Sequence, residues 1–349
     1  MISFTHSVRF LPRAFVAVVL ACCPALLHAT PAPDPDLHIY FIDTEGGQAT
    51  LIVTPEHKSL LVDTGFPGFD GRDANRIVAA TKNAGIDHLD YVLITHYHLD
   101  HVGGVFELAK RLRIGTFLDH GPNREDDTHT KADYAAYEKL WAGHGHRVLK
   151  PGDRVSLGDA SFTVVASAGE AIKSPLPGAG QQNATCASEP AAADDPSENA
   201  QSLGFLLTYG KFRFLDLGDL TKKKELALAC PRNLLGQVDL YLTTHHGLDL
   251  SNARPIVEGL HPRVAIMNNG PQKGGSPAAW EIIHNSPGLE GLWQLHYAMD
   301  SDKAHNTSEN MIANPSENCA GKYLGVAAKA DGTFTVTNSR NGFSKTYKK

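Results

Sequence analysis

What this chain lacks narrows its function first. It has no Gly-x-x-x-x-Gly-Lys loop to cradle nucleotide phosphates and no Gly-x-Ser-x-Gly elbow to raise a serine nucleophile. Positive charge is not in surplus. Lys and Arg number 32 against 38 Asp and Glu, a net charge of −6, which is unfavourable for non-specific binding to a phosphate backbone. Cysteine is scarce, and Cys186, Cys230 and Cys319 do not sit at a metal-ligand spacing. The apolar run at 14–27 is too short for a comfortable membrane span. No internal repeat stands out.

That run belongs to a separate leader. Arg9 and Arg13 make a basic start, and Leu27-His-Ala29 offers a small-residue cleavage site, so residues 1–29 read as a secretory signal peptide. This predicts a secreted or periplasmic protein of residues 30–349. Two other readings stay open: a lipoprotein signal, with Val19-Leu-Ala-Cys22 presenting Cys22 for lipidation, and a retained anchor. Removing residues 1–29 takes away two arginines and no acid, which moves the net charge to −8. The three cysteines left permit one disulfide and one spare thiol in an oxidising compartment.

What is present is concentrated in ten residues, Thr95-His-Tyr-His-Leu-Asp-His-Val-Gly-Gly104. His96, His98, Asp100 and His101 fall within six positions, and histidine and carboxylate suit zinc and related ions. The preceding Asp90-Tyr-Val-Leu-Ile-Thr95 reads as a buried strand, and a helical pattern through Val105, Leu108 and Leu112 follows. The ligands thus lie on a strand-to-helix turn. His96 and His98 can project to one metal while Asp100 and His101 serve a second. Further candidates close other apolar strands. Asp219 ends Leu217-Gly218-Asp219, either as a carboxylate bridging two ions or as an N-cap for a helix near Thr221. His245 and His246 end another strand, where neighbours on extended chain point to opposite sides. Asp63 ends a third, where a plain turn aspartate is the competing reading.

Strand patterns at 38–42, 49–54, 59–62, 91–95, 116–118, 162–166, 203–208, 212–217, 239–243 and 264–267 alternate with helical ones. The helices are expected at 73–83, 130–141, 221–229, 252–258 and 277–285. This order suits two packed sheets flanked by helices, an α/β protein. Residues 169–201 are rich in Pro, Ala, Gly, Ser and acids, and read as a disordered insertion or a lid.

The histidine motif resembles the signature of the metallo-β-lactamase superfamily. The likeness extends to Phe41-Ile-Asp-Thr-Glu-Gly-Gly-Gln-Ala-Thr50, Ser59-Leu-Leu-Val-Asp63-Thr-Gly65, Phe212-Arg-Phe-Leu-Asp-Leu-Gly-Asp219 and Leu242-Thr-Thr-His-His-Gly247. Their order looks most like the extracellular hydrolase domain of bacterial competence DNA-uptake channels and its free-standing relatives. The likeness covers residues 37–285 and does not place 286–349. It implies a single domain with an αββα sandwich and one or two Zn2+ ions, with Mn2+ as the alternative. It also implies Asp100 and Asp219 as catalytic metal ligands, Asp63 as a hydrogen-bonding support, and His246, directly before glycine, as the ligand in preference to His245.

Two departures stand out. Many relatives supply a third histidine to the first metal where this chain has Asn199, a poor ligand, so the two sites are expected to be unequal. His120 is a lone substitute, more in keeping with a structural role. Gly274-Gly-Ser-Pro277 likewise lacks a histidine found in competence-type domains, which leaves Met267-Asn-Asn-Gly270 and His296 to line the pocket. The reading is a metal-dependent hydrolase using a metal-bound hydroxide on a small phosphodiester or nucleotide, the acidic charge counting against long nucleic acid. An ester, thioester, lactone or β-lactam substrate is the alternative within the fold. A non-catalytic metal-binding module is the alternative outside it.

Overall fold

Leu37-His-Ile-Tyr-Phe41 alternates apolar and polar side chains, and it forms strand β1 (Leu37–Phe41) with Leu37, Ile39 and Phe41 buried. The computed structural model describes residues 1–11 and 35–349. It divides into two units, Met1–Pro33 and Asp34–Lys349. Residues 1–11 of the first unit form no helix or strand, and the rest of the expected leader, with Cys22, lies outside the described residues. Among the described residues no helix is long and apolar enough to cross a membrane.

The second unit continues through β2 (Thr50–Val53), β3 (Ser59–Val62), α1 (Arg72–Asn83), β4 (His88–Leu93), α2 (Leu99–Val102), α3 (Val105–Ala109), β5 (Arg113–Asp119), α4 (Thr128–Trp141) and β6 (Gly145–Val148). There follow β7 (Arg154–Leu157), β8 (Ala160–Ser167), β9 (Glu170–Ala171), β10 (Gly204–Tyr209), β11 (Phe212–Asp216), α5 (Lys222–Ala229), β12 (Leu240–Leu242), α6 (Arg254–Leu260), β13 (Val264–Met267) and α7 (Pro277–His284). The chain ends with β14 (Gly291–His296), β15 (Ile312–Asn314), β16 (Leu324–Ala328), β17 (Phe334–Asn338) and β18 (Ser344–Tyr347).

Two mixed sheets result. The first runs β18-β17-β16-β1-β2-β3-β4-β5-β6, with β3 to β6 parallel. The second runs β15-β14-β13-β12-β11-β10-β8-β7, with β9 on β8 and with β11 to β15 parallel. Every strand pattern read from the sequence is present. The segment 286–349, which the resemblance left unplaced, supplies edge strands to both sheets.

The sheets pack face to face. Ile39, Phe41, Ile52 and Val62 of the first meet Phe162, Phe205, Phe214 and Ile266 of the second in one buried cluster. The outer face of the first sheet packs on α1, α3 and α4 through Ile77, Val105 and Tyr137. The outer face of the second packs on α5, α6 and α7 through Leu228, Val257 and Ile283. This is the expected αββα sandwich.

Residues 169–201 lie along the helices of the second sheet. The Asn183 amide donates to Ala229 O and Pro255 O at 3.1 and 2.7 Å, and Cys186 is disulfide-bonded to Cys230. At its end a short turn, Glu198–Gln201, enters the region beyond β4 and β11.

Candidate metal centre

The parallel strands carry the chemistry at their carboxyl ends, where strand backbone gives way to loops. Asp63 follows β3, His96 to His101 follow β4, Asp219 follows β11, and His245 and His246 follow β12. The turn after β4 is tight. A Cβ on Gly104 would stand 2.1 Å from Thr64 O, so only glycine lets α3 start against the neighbouring loop.

Asp219 Oδ2 is at the centre. It lies 3.3 Å from His101 Nε2, 3.4 Å from both His246 Nε2 and His245 Nε2, and 3.9 Å from His96 Nε2. Asp219 does not cap α5; that position belongs to Thr221. Asp100 Oδ2 stands 3.3 Å from His101 Nε2 and 3.3 Å from His246 Nε2. Donor atoms of Asp100, His101, Asp219 and His246 all fall within 4.8 Å of one another. His96 Nε2 and His98 Nδ1 face each other at 3.1 Å beside them.

Asp63 braces this group. It accepts from Thr95 N–H at 2.8 Å and Thr95 Oγ1 at 2.7 Å, and its Oδ2 meets His101 Nδ1 at 2.7 Å. With Nδ1 so engaged, His101 Nε2 is the atom turned to the centre. Asp63, His245 and His246 all adopt left-handed backbone, at φ 58, 56 and 55°. Such strain in non-glycine residues gathers at functional sites.

The backbone also corrects one premise. Residues Thr244–Gly247 form a 3-10 turn rather than extended chain, so His245 and His246 both reach Asp219 instead of pointing apart. Their environments differ. His246 touches both carboxylates, whereas His245 meets Asp219 and, through Nδ1, Ser251 Oγ at 3.3 Å.

The electrostatics suit a cation. Burial disfavours charge on Asp100 and Asp219, yet the surrounding histidines hold both carboxyls well below the usual range, Lys273 assisting at Asp100. Burial likewise opposes charge on His101, but Asp219, Asp100 and Asp63 raise it well above an ordinary imidazole. Burial and the neighbouring His101 and His98 push His96 well below. His101 Nε2, both His246 ring nitrogens and Asp219 Oδ1 are buried without a hydrogen-bond partner among the described residues. Buried polar atoms left unpaired in this way call for an ion or water. With a histidine–carboxylate donor set, these residues fit a divalent metal.

Two participants escaped the sequence reading. Lys273, on the loop after β13, ion-pairs with Asp100 Oδ2, and its ammonium stands 5.7 Å from the Phe66 ring centre. Glu125, on the loop after β5, meets His98 Nε2 at 2.8 Å. Both are single charged residues in polar loops, with no spacing to mark them. Asn199 Oδ1 is buried without a hydrogen-bond partner among the described residues. His120 Nε2 meets Glu198 Oε2 at 2.8 Å. His296 pairs with Asp43 at 2.7 Å, and Cys319, which sequence spacing set apart from any ligand group, joins them within 4.8 Å. Arg76 already neutralises that cluster, 3.0 Å from Asp43 Oδ2. Asn269 donates to the backbone carbonyls of Gly270 and His296, and Asn268 donates to Gln48, while Asn268 Oδ1 is buried without a hydrogen-bond partner among the described residues.

Residues 42–172 match the family model described as the metallo-beta-lactamase superfamily. The chain is 25% identical over 268 residues to Recombination protein 2 of Haemophilus influenzae, covering 74% of this chain and 27% of that protein. It is 23% identical over 266 residues to ComE operon protein 3 of Bacillus subtilis, covering 71% of this chain and 30% of that one. The chain therefore spans less than a third of either relative. The solved metallo-beta-lactamase fold protein YhfI from Bacillus subtilis is 13% identical with a TM-score of 0.47, covering 74% of this chain and 96% of that one.

Proposed function

We propose that this chain is an exported hydrolase of the metallo-β-lactamase superfamily that uses zinc, or manganese in its place, to cleave a small phosphodiester or nucleotide. The observation that carries the reading is the convergence of Asp100, His101, Asp219 and His246, with unpartnered nitrogens facing two anionic carboxylates. Divalent ions held there lower the pKa of bound water and polarise the bond to be broken. The chain's own residues divide the remaining work. Asp219 holds the two sides together, and Asp63 fixes His101. Lys273, its side chain 36% exposed, places an ammonium beside Asp100, suited to a negatively charged substrate group.

The acidic chain weighs against long nucleic acid. Export is supported by the basic, apolar leader and by the Cys186–Cys230 disulfide, a bond that persists in oxidising compartments.

A substrate panel tests this: an aryl phosphodiester, nucleotides, an ester, a thioester, a lactone and a β-lactam, each assayed after chelation and after return of zinc or manganese. Metal-restored turnover of phosphodiesters is expected. Restored turnover of the carbonyl substrates alone moves the site to acyl chemistry. Bound metal without turnover makes the chain a binding module. Less than about half an equivalent of metal per chain after zinc supplementation sinks the metal centre itself.

A further inference from the structure

The two sides of the centre are supported differently. His101 is fully buried, and its tautomer is set by Asp63. His98 is more open, with 26% of its side chain exposed, and nothing in its own burial settles which ring nitrogen carries the proton.

A carboxylate meets His98 there. Glu125 Oε2 lies 2.8 Å from His98 Nε2 and also accepts the Glu198 N–H at 3.0 Å. The Glu125 N–H donates to Asn123 Oδ1 at 2.9 Å, which fixes the loop. Glu198 is itself held by Arg124 N–H at 2.7 Å and by His120 Nε2 at 2.8 Å. Glu125 is thus anchored at both ends before it reaches His98. An ionised carboxylate only accepts, so the proton on His98 belongs to Nε2, and Nδ1 keeps its lone pair. Nδ1 is the atom that faces His96 Nε2 at 3.1 Å.

We propose that Glu125 is a positioning residue for the first metal side: it fixes His98 as the Nε2–H tautomer and turns Nδ1 to the centre. The proposal rests on the metal-centre reading above. A carboxylate behind a ligating imidazole fixes its orientation and raises the basicity of the other nitrogen. Glu125 does for His98 what Asp63 does for His101, from the neighbouring strand end.

The test counts zinc in the wild-type chain, E125A and E125Q by titration against a competing chelator, with thermal melting of each. E125A is expected to bind one ion about 10–100-fold more weakly and to leave the other unchanged. E125Q keeps an oxygen acceptor for Nε2–H and should recover most of that loss. Two ions held by E125A with wild-type affinity overturn the proposal, and so does an equal weakening of both.

Should E125A fail to fold, the wild type decides. Long-range proton–nitrogen spectra of histidine-labelled chain, with His98 identified through His98→Gln, should show the proton on Nε2 with and without zinc. A proton on Nδ1 overturns the proposal. A wild-type chain that takes up no metal sinks the metal-centre reading, while the tautomer in that same sample still judges Glu125.

Discussion

The two halves of the sandwich build the same site by different means. The first half places His96, His98, Asp100 and His101 on a single turn after β4, and Asp63 and Glu125 brace it from the adjacent strand ends. The second half sends one contribution from each of three parallel strands: Asp219 after β11, the histidine pair after β12, and Lys273 after β13. Geometry in the first half is local, set by one turn and its glycines. In the second half it depends on strand alignment, on the strained Thr244–Gly247 turn, and on what clamps the helices behind it. Changes distant from the metal ligands should therefore disturb the second half and spare the first.

The largest effect belongs to the residue the halves share. Asp219→Ala should lower turnover roughly a thousand-fold, about 4 kcal/mol, and release metal, because the central carboxylate contacts histidines of both halves. His245→Ala should lose only about 10–100-fold. Turnover and metal content of both variants, with circular dichroism for folding, check this. A His245→Ala protein as inactive and metal-poor as Asp219→Ala, beside an active His246→Ala, would exchange the roles of the two histidines.

Next comes the clamp on the second half. The Cys186–Cys230 bond closes a separation of 44 residues, and its loss in the double serine variant should cost about 4 kcal/mol in denaturant unfolding on a loop-entropy basis. An unchanged midpoint would show that hydrogen bonds such as those of Asn183 hold the segment unaided.

A third contrast concerns pH. Glu225 is wholly buried behind the histidine turn, accepting from Asn252 N–H at 3.1 Å and Ala253 N–H at 2.9 Å, while the Asn252 amide holds Thr244 O at 2.9 Å. Burial pushes its carboxyl from the ordinary 4.5 up to about 7. Because the folded value is raised, its contribution is fully present below pH 4.5. That contribution falls as the unfolded chain ionises first, and it is gone once pH passes 7. The loss amounts to about 3 kcal/mol. Glu225→Gln should flatten the decline in unfolding free energy from pH 4.5 to 7, and parallel profiles for variant and wild type would refute it.

The smallest effect is in the first half. Asp63→Asn should weaken the ion at His101 by about 10–100-fold with little change in global stability, measured by chelator competition and melting. A large drop in stability instead would show that the first half also depends on distant support.

The site was legible in sequence wherever several ligand types shared one turn or ended an apolar strand, as with His96 to His101, Asp63 and Asp219. The histidine pair was legible as a pair. Its geometry was not, because left-handed backbone at two consecutive non-glycine residues contradicts the local preference of the chain. Lys273 and Glu125 left no trace, since a lone charge in a polar loop is ordinary. No strand was read in 286–349, where the resemblance gave no guide, although β16 and β17 alternate half-buried residues with buried ones as β1 does.

By itself the sequence determined the alternation of strands and helices, the sandwich they imply, and the identity of most donor atoms, because hydrophobic period and ligand density are written locally. Tertiary structure alone decided that Asp219 stands among four histidines, that Asp63 and Glu125 each hold one imidazole by its outer nitrogen, and that Lys273 reaches Asp100 across 173 positions of chain. Those contacts depend on how two sheets bring their strand ends together, and no local pattern encodes a distance across a core.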